Sequence, residues 1–409
     1  MKYDVFLSIC QNEVDGKIPN EDTMFGNFFS QVELADELGF ETAWIAETHL
    51  SCETQKKGKN PVIPHFKGEI GLNTDILQMT LVVFSRTKNI NVGSAIRNIL
   101  CNGGPIAHAE GLKTFLNLLK HTPYKNRTLS YGFASGRFEF SNRPYGIVPR
   151  NKVEEAAWPV VKGKILQEAT EIFLRLLRGE EISHKEISPK VLTENSFRTP
   201  EDWQKVAAAH KELTGEVIKE IRLKPQWPFE KLKVIPQEVD LSQLNLVIGS
   251  HDPNTQDLAN KFLPVSVFNL SITPPAVIDA THERMREKFH KDGGPWKREN
   301  MPRTALVYVD NTPGLTPEQQ TAKAKEKARD AWAAYLTAIQ GTLDKEKVEK
   351  AVSNTLAGNP KDLAEQIKSK YHKEDRLMLW FDFNNHDNED VCNSMKVFKN
   401  EVIPLIEKG

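Results

Sequence analysis

Short apolar runs alternate with longer amphipathic segments along most of this chain. Residues 3–10 (YDVFLSIC) read as a buried strand interrupted by Ser8, and residues 21–39 carry Phe25, Phe28, Val32, Ala35 and Leu38 at helical spacing, with Gly39 placed to end the helix. The rhythm continues with strands at 42–46, 90–96 and 128–134, separated by helices at 75–87 and 105–119, and then one long helix over 153–178. It resumes with strands at 244–248, 264–270, 304–309 and 377–383. Between and after them come helices at 254–262, 275–291, within 317–355, at 361–371 and at 389–407. Strands separated by helices require crossover connections and a parallel sheet. Eight such units in one chain predict an α/β fold, a (β/α)8 TIM barrel over residues 1–409. An open doubly wound sheet fits less well, because no G-x-G-x-x-G follows the first strand.

Two stretches break the rhythm and read as long insertions: residues 51–73 after strand 2, and residues 179–240 between helix 4 and strand 5, the latter with a helix at 200–213. Insertions of this length in a barrel belong to its functional face or to its outer surface.

Composition changes the picture mainly by exclusion. Lys and Arg (54) balance Asp and Glu (55), so no net electrostatic footprint favours nucleic acid or an anionic membrane. No window approaches eighteen uninterrupted apolar residues, and the first residues turn polar too soon for a signal peptide. Cys10, Cys52, Cys101 and Cys392 match no metal spacing and are too few for a disulfide framework, so no metal is expected and the location expected is cytoplasmic.

Chemistry in such a barrel sits where strands end. Past the second strand stand Glu47 and His49: an imidazole able to move a proton near neutral pH and a carboxylate able to orient it. The same pair also suits a purely structural tie for the loop. Ser94 and Ala95 past the third strand, and Ser135, Gly136 and Arg137 past the fourth, allow a close backbone approach and a guanidinium clamp for an anion. Gly249, Ser250, Asn254 and Thr255 past the fifth read either as a phosphate cradle or as simple helix capping. Trp380, in the aromatic run at the last strand, can face a flat ring or fill the core. No G-x-S-x-G, Walker A or H-E-x-x-H motif occurs.

In order along the chain, ELADELGFETAWIAETH (33–49), NVGSA (91–95), PIAHAE (105–110) and GFASGR (132–137) resemble the bacterial-luciferase-like flavin-dependent monooxygenase family. LVIGSHDPNTQDLA (246–259), VDNT (309–312), GNPKDLA (358–364) and FKNEVIP (398–404) continue the resemblance. It implies reduced FMN, or less readily a deazaflavin, at the C-terminal mouth of the barrel. O2 then oxidises a small organic substrate through a flavin hydroperoxide. His49 and Glu47 would be catalytic, with Thr48 standing where the family has a first His. Ser94 and Ala95 would lie against the flavin ring, beside a position where the family often has a non-proline cis bond, and Gly249, Ser250, Asn254 and Thr255 would lie at the phosphate. A separate NAD(P)H-dependent flavin reductase and a homodimer are also implied. The alternatives are a deazaflavin-dependent hydride-transfer enzyme and a non-catalytic flavin-binding relative.

Overall fold

Eight parallel strands close into a barrel in the computed structural model, which describes residues 1–58, 61, 63–217, 219–338 and 345–408. They are β1 (Lys2–Leu7), β2 (Thr42–Ala46), β3 (Asn91–Ala95), β4 (Leu129–Ala134), β5 (Leu244–Ile248), β6 (Val265–Val267), β7 (Arg303–Val309) and β8 (Arg376–Trp380). Each pairs in parallel with its neighbour, from Val5↔Ala43 between β1 and β2 round to Lys2↔Arg376 between β1 and β8. A single bridge, Asn269↔Arg303, joins β6 to β7 and completes the ring. All eight lie at the positions where the apolar runs place them, because a strand covered on both faces reads as a continuous apolar stretch.

The helices begin and end where side chains satisfy their free backbone groups. Asn20 caps α1 (Glu21–Glu37), accepting from the Thr23 N–H, Asp75 caps α2 (Ile76–Arg86), accepting from Leu77 and Gln78, and Pro105 stands in the first turn of α3 (Gly104–Leu119). Two predicted helices differ from expectation. The stretch at 153–178 is split at Ala157 into Lys152–Ala156 and α4 (Trp158–Leu177), because Pro159 fits only the first turn of a new helix. The closing helix at 389–407 contains a π turn, Phe398–Val402, just ahead of Pro404, which cannot donate to the helical ladder. The strand Leu356–Gly358, paired to the end of β7, lies in a stretch expected to hold no strand. The expected features at residues 59, 60, 62, 218 and 339–344 lie outside the described residues. Among the described residues no helix is long and apolar enough to cross a membrane.

The barrel is blocked at its waist. Trp44 crosses the interior with its Nε1 donating to Asp4 Oδ2 at 2.8 Å and its ring 5.8 Å from Phe268. It packs in a cluster with Phe6, Val247, Phe268 and Met378. Below it, Arg376 holds Asp4 at 2.9 Å and Glu41 at 2.8 Å.

The two insertions part company. The described residues of 51–73 fold back over the C-terminal mouth, where Gln11 and Asn12 pair antiparallel with Glu69 and Gly68. The described residues of the 179–240 insertion lie against the outside of α4. Glu168 accepts from the Gln226 N–H at 3.0 Å and pairs with Lys190, while Lys113 donates to the Gln237 carbonyl at 2.6 Å.

Candidate active site

Above the Trp44 plug, the ends of the strands and the 51–73 loop enclose a cavity of about 510 Å³, within the usual range of small-molecule sites, roughly 300–1,000 Å³. Ala95 and Ile96, Ala134 and Gly249 form one wall, and the Ala95–Ile96 peptide bond is cis. Gly249 lies so close to this wall that a Cβ there would stand 2.6 Å from Ile96 Cδ1 and 3.2 Å from Ala134 Cβ. Gly136 has φ +71°, where a side chain is strained, and a Cβ would run into Asn98. The opposite side is aromatic. Trp380 lies tilted 4.5 Å from Phe6 and meets Phe383 edge-on at 5.0 Å, and Tyr335 meets Phe383 at 5.2 Å.

One polar relay reaches the cavity. The Glu47 side chain is fully buried, its Oε1 accepting from His49 Nε2 at 2.6 Å and from Arg97 Nη1. Burial works against the Arg97 charge, but the Glu47 carboxylate outweighs it and holds the guanidinium above its ordinary pKa. Arg97 also donates to the Thr74 carbonyl at 2.9 Å and to His108 Nδ1 at 3.4 Å. Burial, then the Arg97 cation, pushes His108 down to about 3, so this imidazole is neutral. Its partners fix the tautomer: Nε2 donates to the Cys101 carbonyl at 3.0 Å, and Nδ1 accepts from Tyr131 Oη at 3.2 Å. His49, donating through Nε2 to Glu47, keeps Nδ1 as a base whose hydrogen-bond partner among the described residues is the Asn102 amide at 3.4 Å.

A second polar centre lies across the mouth. Asp382 Oδ2 accepts from Ser8 N at 2.9 Å and Ser8 Oγ at 2.7 Å. Burial pushes this carboxyl up to about 6, with the Ser8 donors opposing. The folded chain therefore holds the proton more tightly than the unfolded chain, whose carboxyl titrates at 3.8. Its contribution to stability is complete below about pH 4 and is lost as pH rises through about 6. Asp382→Asn keeps an acceptor for Ser8 and needs no proton. Its stability relative to the parent is expected to improve between pH 4 and pH 7 in paired urea unfolding curves; an offset that does not change with pH would remove Asp382 as the titrating group.

Of the residues singled out in the sequence, Glu47, His49, Ala95, Ser135, Gly136, Arg137, Gly249 and Trp380 line this cavity. Four others do not. Ser94 is buried, with its hydroxyl toward the Gly132 carbonyl at 3.3 Å. Ser250, Asn254 and Thr255 are organised by Asp252, whose carboxylate accepts from the N–H groups of Asn254 and Thr255 and, at 2.5 Å, from the Thr255 hydroxyl. That carboxylate occupies the helix start with a negative charge of its own. Arg97, His108, Asp382 and Ser8 were not singled out. Arg97 stands just past β3, where the strand-end criterion reaches it.

Residues 1–120 match the family model for luciferase-like monooxygenases. No curated protein matches the chain. Among solved structures, the chain is similar to the monooxygenase RslO1 from Streptomyces bottropensis at 16% identity, with 99% of each chain covered and a TM-score of 0.63. It is also similar to the oxygenating constituent of 3,6-diketocamphane monooxygenase from Pseudomonas putida, a type II Baeyer-Villiger monooxygenase in complex with FMN. There the identity is 14%, the TM-score 0.54, and 99% of this chain and 98% of that one are covered. A third similar structure is an F420-dependent secondary alcohol dehydrogenase in complex with an F420-acetone adduct, at 14% identity and a TM-score of 0.55 over 99% and 98% of the two chains. The chain thus has the barrel fold of the luciferase-like monooxygenases, and its first 120 residues match their family model.

Proposed function

We propose that this chain is a flavin-dependent monooxygenase that uses reduced FMN and O2 to oxidise a small organic substrate. The observation that carries the reading is the cavity itself: one wall of small residues, Ala95, Ala134 and Gly249, packed closely around Ile96, an aromatic wall opposite, and a buried base-and-carboxylate pair between them. A flat ring fits against such a wall, whose close packing a Cβ at Gly249 would disturb by displacing Ile96. Ala95, Ile96, Gly249 and Trp380 would hold the ring, with Ser135, Gly136 and Arg137 at its phosphate end, since the Asp252 carboxylate opposes a second anion at Ser250, Asn254 and Thr255. When bound, reduced FMN supplies the electrons that activate O2. The chain's own part is to exclude water with the 51–73 loop and to move a proton at His49 Nδ1, the imidazolium so formed being stabilised by Glu47. A separate NAD(P)H-dependent reductase would supply the reduced flavin. The F420-dependent neighbour keeps hydride transfer from a deazaflavin as the second reading.

An anaerobic titration with reduced FMN and with reduced deazaflavin, followed by mixing with oxygenated buffer, tests the proposal. Tight FMN binding with oxygen uptake is expected. Preference for the deazaflavin without oxygen uptake would move the case to hydride transfer, and binding with neither reaction would leave a flavin-binding protein. His49→Ala is expected to lower turnover with supplied reduced FMN about 100-fold or more, the usual scale of a lost general base. Its urea midpoint should barely move, and unchanged turnover would take His49 out of the chemistry.

A further inference from the structure

Resting on the flavin reading above, we infer that the substrate is an uncharged, largely apolar ring compound, and that the cavity rejects organic anions such as sulfonates and carboxylates. The 51–73 loop brings Ile63, Phe66 and Ile70 to the cavity, and Phe138 from the β4 end packs with this group. With the Trp380–Phe383–Tyr335 edge contacts, the space away from the glycine wall is bounded by rings and branched aliphatic groups. Aromatic edges and faces at such spacings suit a flat apolar guest.

The charges in the wall point the same way. Glu47 Oε1 is taken by His49 and Arg97, but Glu47 Oε2 is buried with no partner among the described residues. An anion inside the cavity would come near the negative charge of this carboxylate, and among the described residues the one Lys or Arg lining the cavity is Arg137. The Arg97 charge is committed to Glu47, and Arg137 stands exposed at the rim over the Phe138 ring at 5.4 Å. Two further polar pairs at the wall are engaged with each other: Ser8 with Asp382, and Asn12 Nδ2 with Asn384 Oδ1 at 2.6 Å. Burying an unpaired anion carries a large desolvation penalty, whereas a neutral ring loses little and gains the contact area of the walls.

The test is a calorimetric titration of the full chain at pH 7 with 2-naphthol and with naphthalene-2-sulfonate, in the presence and absence of FMN. FMN affinity is measured separately by flavin fluorescence. Naphthol is expected to bind at least about tenfold more tightly than the sulfonate. Phe66→Ala should weaken naphthol by about tenfold with FMN affinity unchanged. Ile70→Arg, which places a cation in the wall, should shift the preference toward the sulfonate by about tenfold or more. Equal or tighter binding of the sulfonate by the unaltered chain overturns the inference, as does indifference of the preference to Ile70→Arg. Absence of FMN binding with the naphthol preference intact would instead sink the flavin reading and leave the preference for neutral rings standing.

Discussion

Glu47→Ala is expected to cost about 3–5 kcal/mol of folding stability, the scale of a buried ion pair broken from one side. The carboxylate is fully buried and the Arg97 side chain only 12% exposed, so the guanidinium left behind cannot recover its hydration. Its remaining hydrogen-bond partners are the Thr74 carbonyl, a neutral His108 and, at 3.4 Å, the His49 ring, none of which is an anion. His49 would lose its orienting acceptor in the same step, so turnover should fall at least as far as in His49→Ala. Urea unfolding followed by tryptophan fluorescence measures the first effect. The double variant Glu47→Leu/Arg97→Met should regain much of the stability without regaining activity, because it removes both charges together. A loss below about 1 kcal/mol in the single variant would mean that Arg97 finds water or another acceptor, and that the relay is looser than its distances imply.

Gly132→Ala should be nearly as damaging for a different reason. Gly132 lies in β4 beside Ser94 of β3, and a Cβ there would overlap the Ser94 carbonyl oxygen, a backbone atom with nowhere to swing. Overfilling a packed interior costs about 1–3 kcal/mol and sometimes more, and relief here requires the two strands to separate. Separation would displace Ala95 and Ile96, so FMN affinity should fall along with stability. Gly163→Ala is the control: it sits exposed in α4 with nothing within 4 Å of an added Cβ, and it should stabilise by about 0.5–1 kcal/mol. Stability unchanged in Gly132→Ala would show that β3 and β4 have slack at this point.

The barrel was legible in the sequence because its signal is collective. Eight apolar runs, each ambiguous alone, recur with helices between them, and the strands stand at those runs. What escaped was too short to have a period: Gln11–Asn12, Gly68–Glu69 and Leu356–Gly358 are strands of two or three residues defined by their partners. At the candidate site, the strand-end criterion reached Glu47, His49 and the Gly249 wall, since those residues follow apolar runs directly. It missed the partnership of Ser8 with Asp382, 374 residues apart in sequence and adjacent only because β1 pairs with β8. It also left open whether Asn254 and Thr255 cap a helix or cradle an anion. The same residue types serve both, and the neighbouring Asp252 carboxylate, a charge whose direction no spacing reveals, takes their N–H groups.

The Trp44 plug has a consequence for the order of events. With the floor closed by Trp44 held to Asp4, the cavity is, among the described residues, a cul-de-sac that opens at the mouth of the barrel. Two molecules that share such a space queue in it: the one seated deeper must arrive first and depart last, and the outer one turns over against a resident neighbour. Steady-state kinetics of this protein should therefore show compulsory sequence, with one reactant able to trap the other but never the reverse.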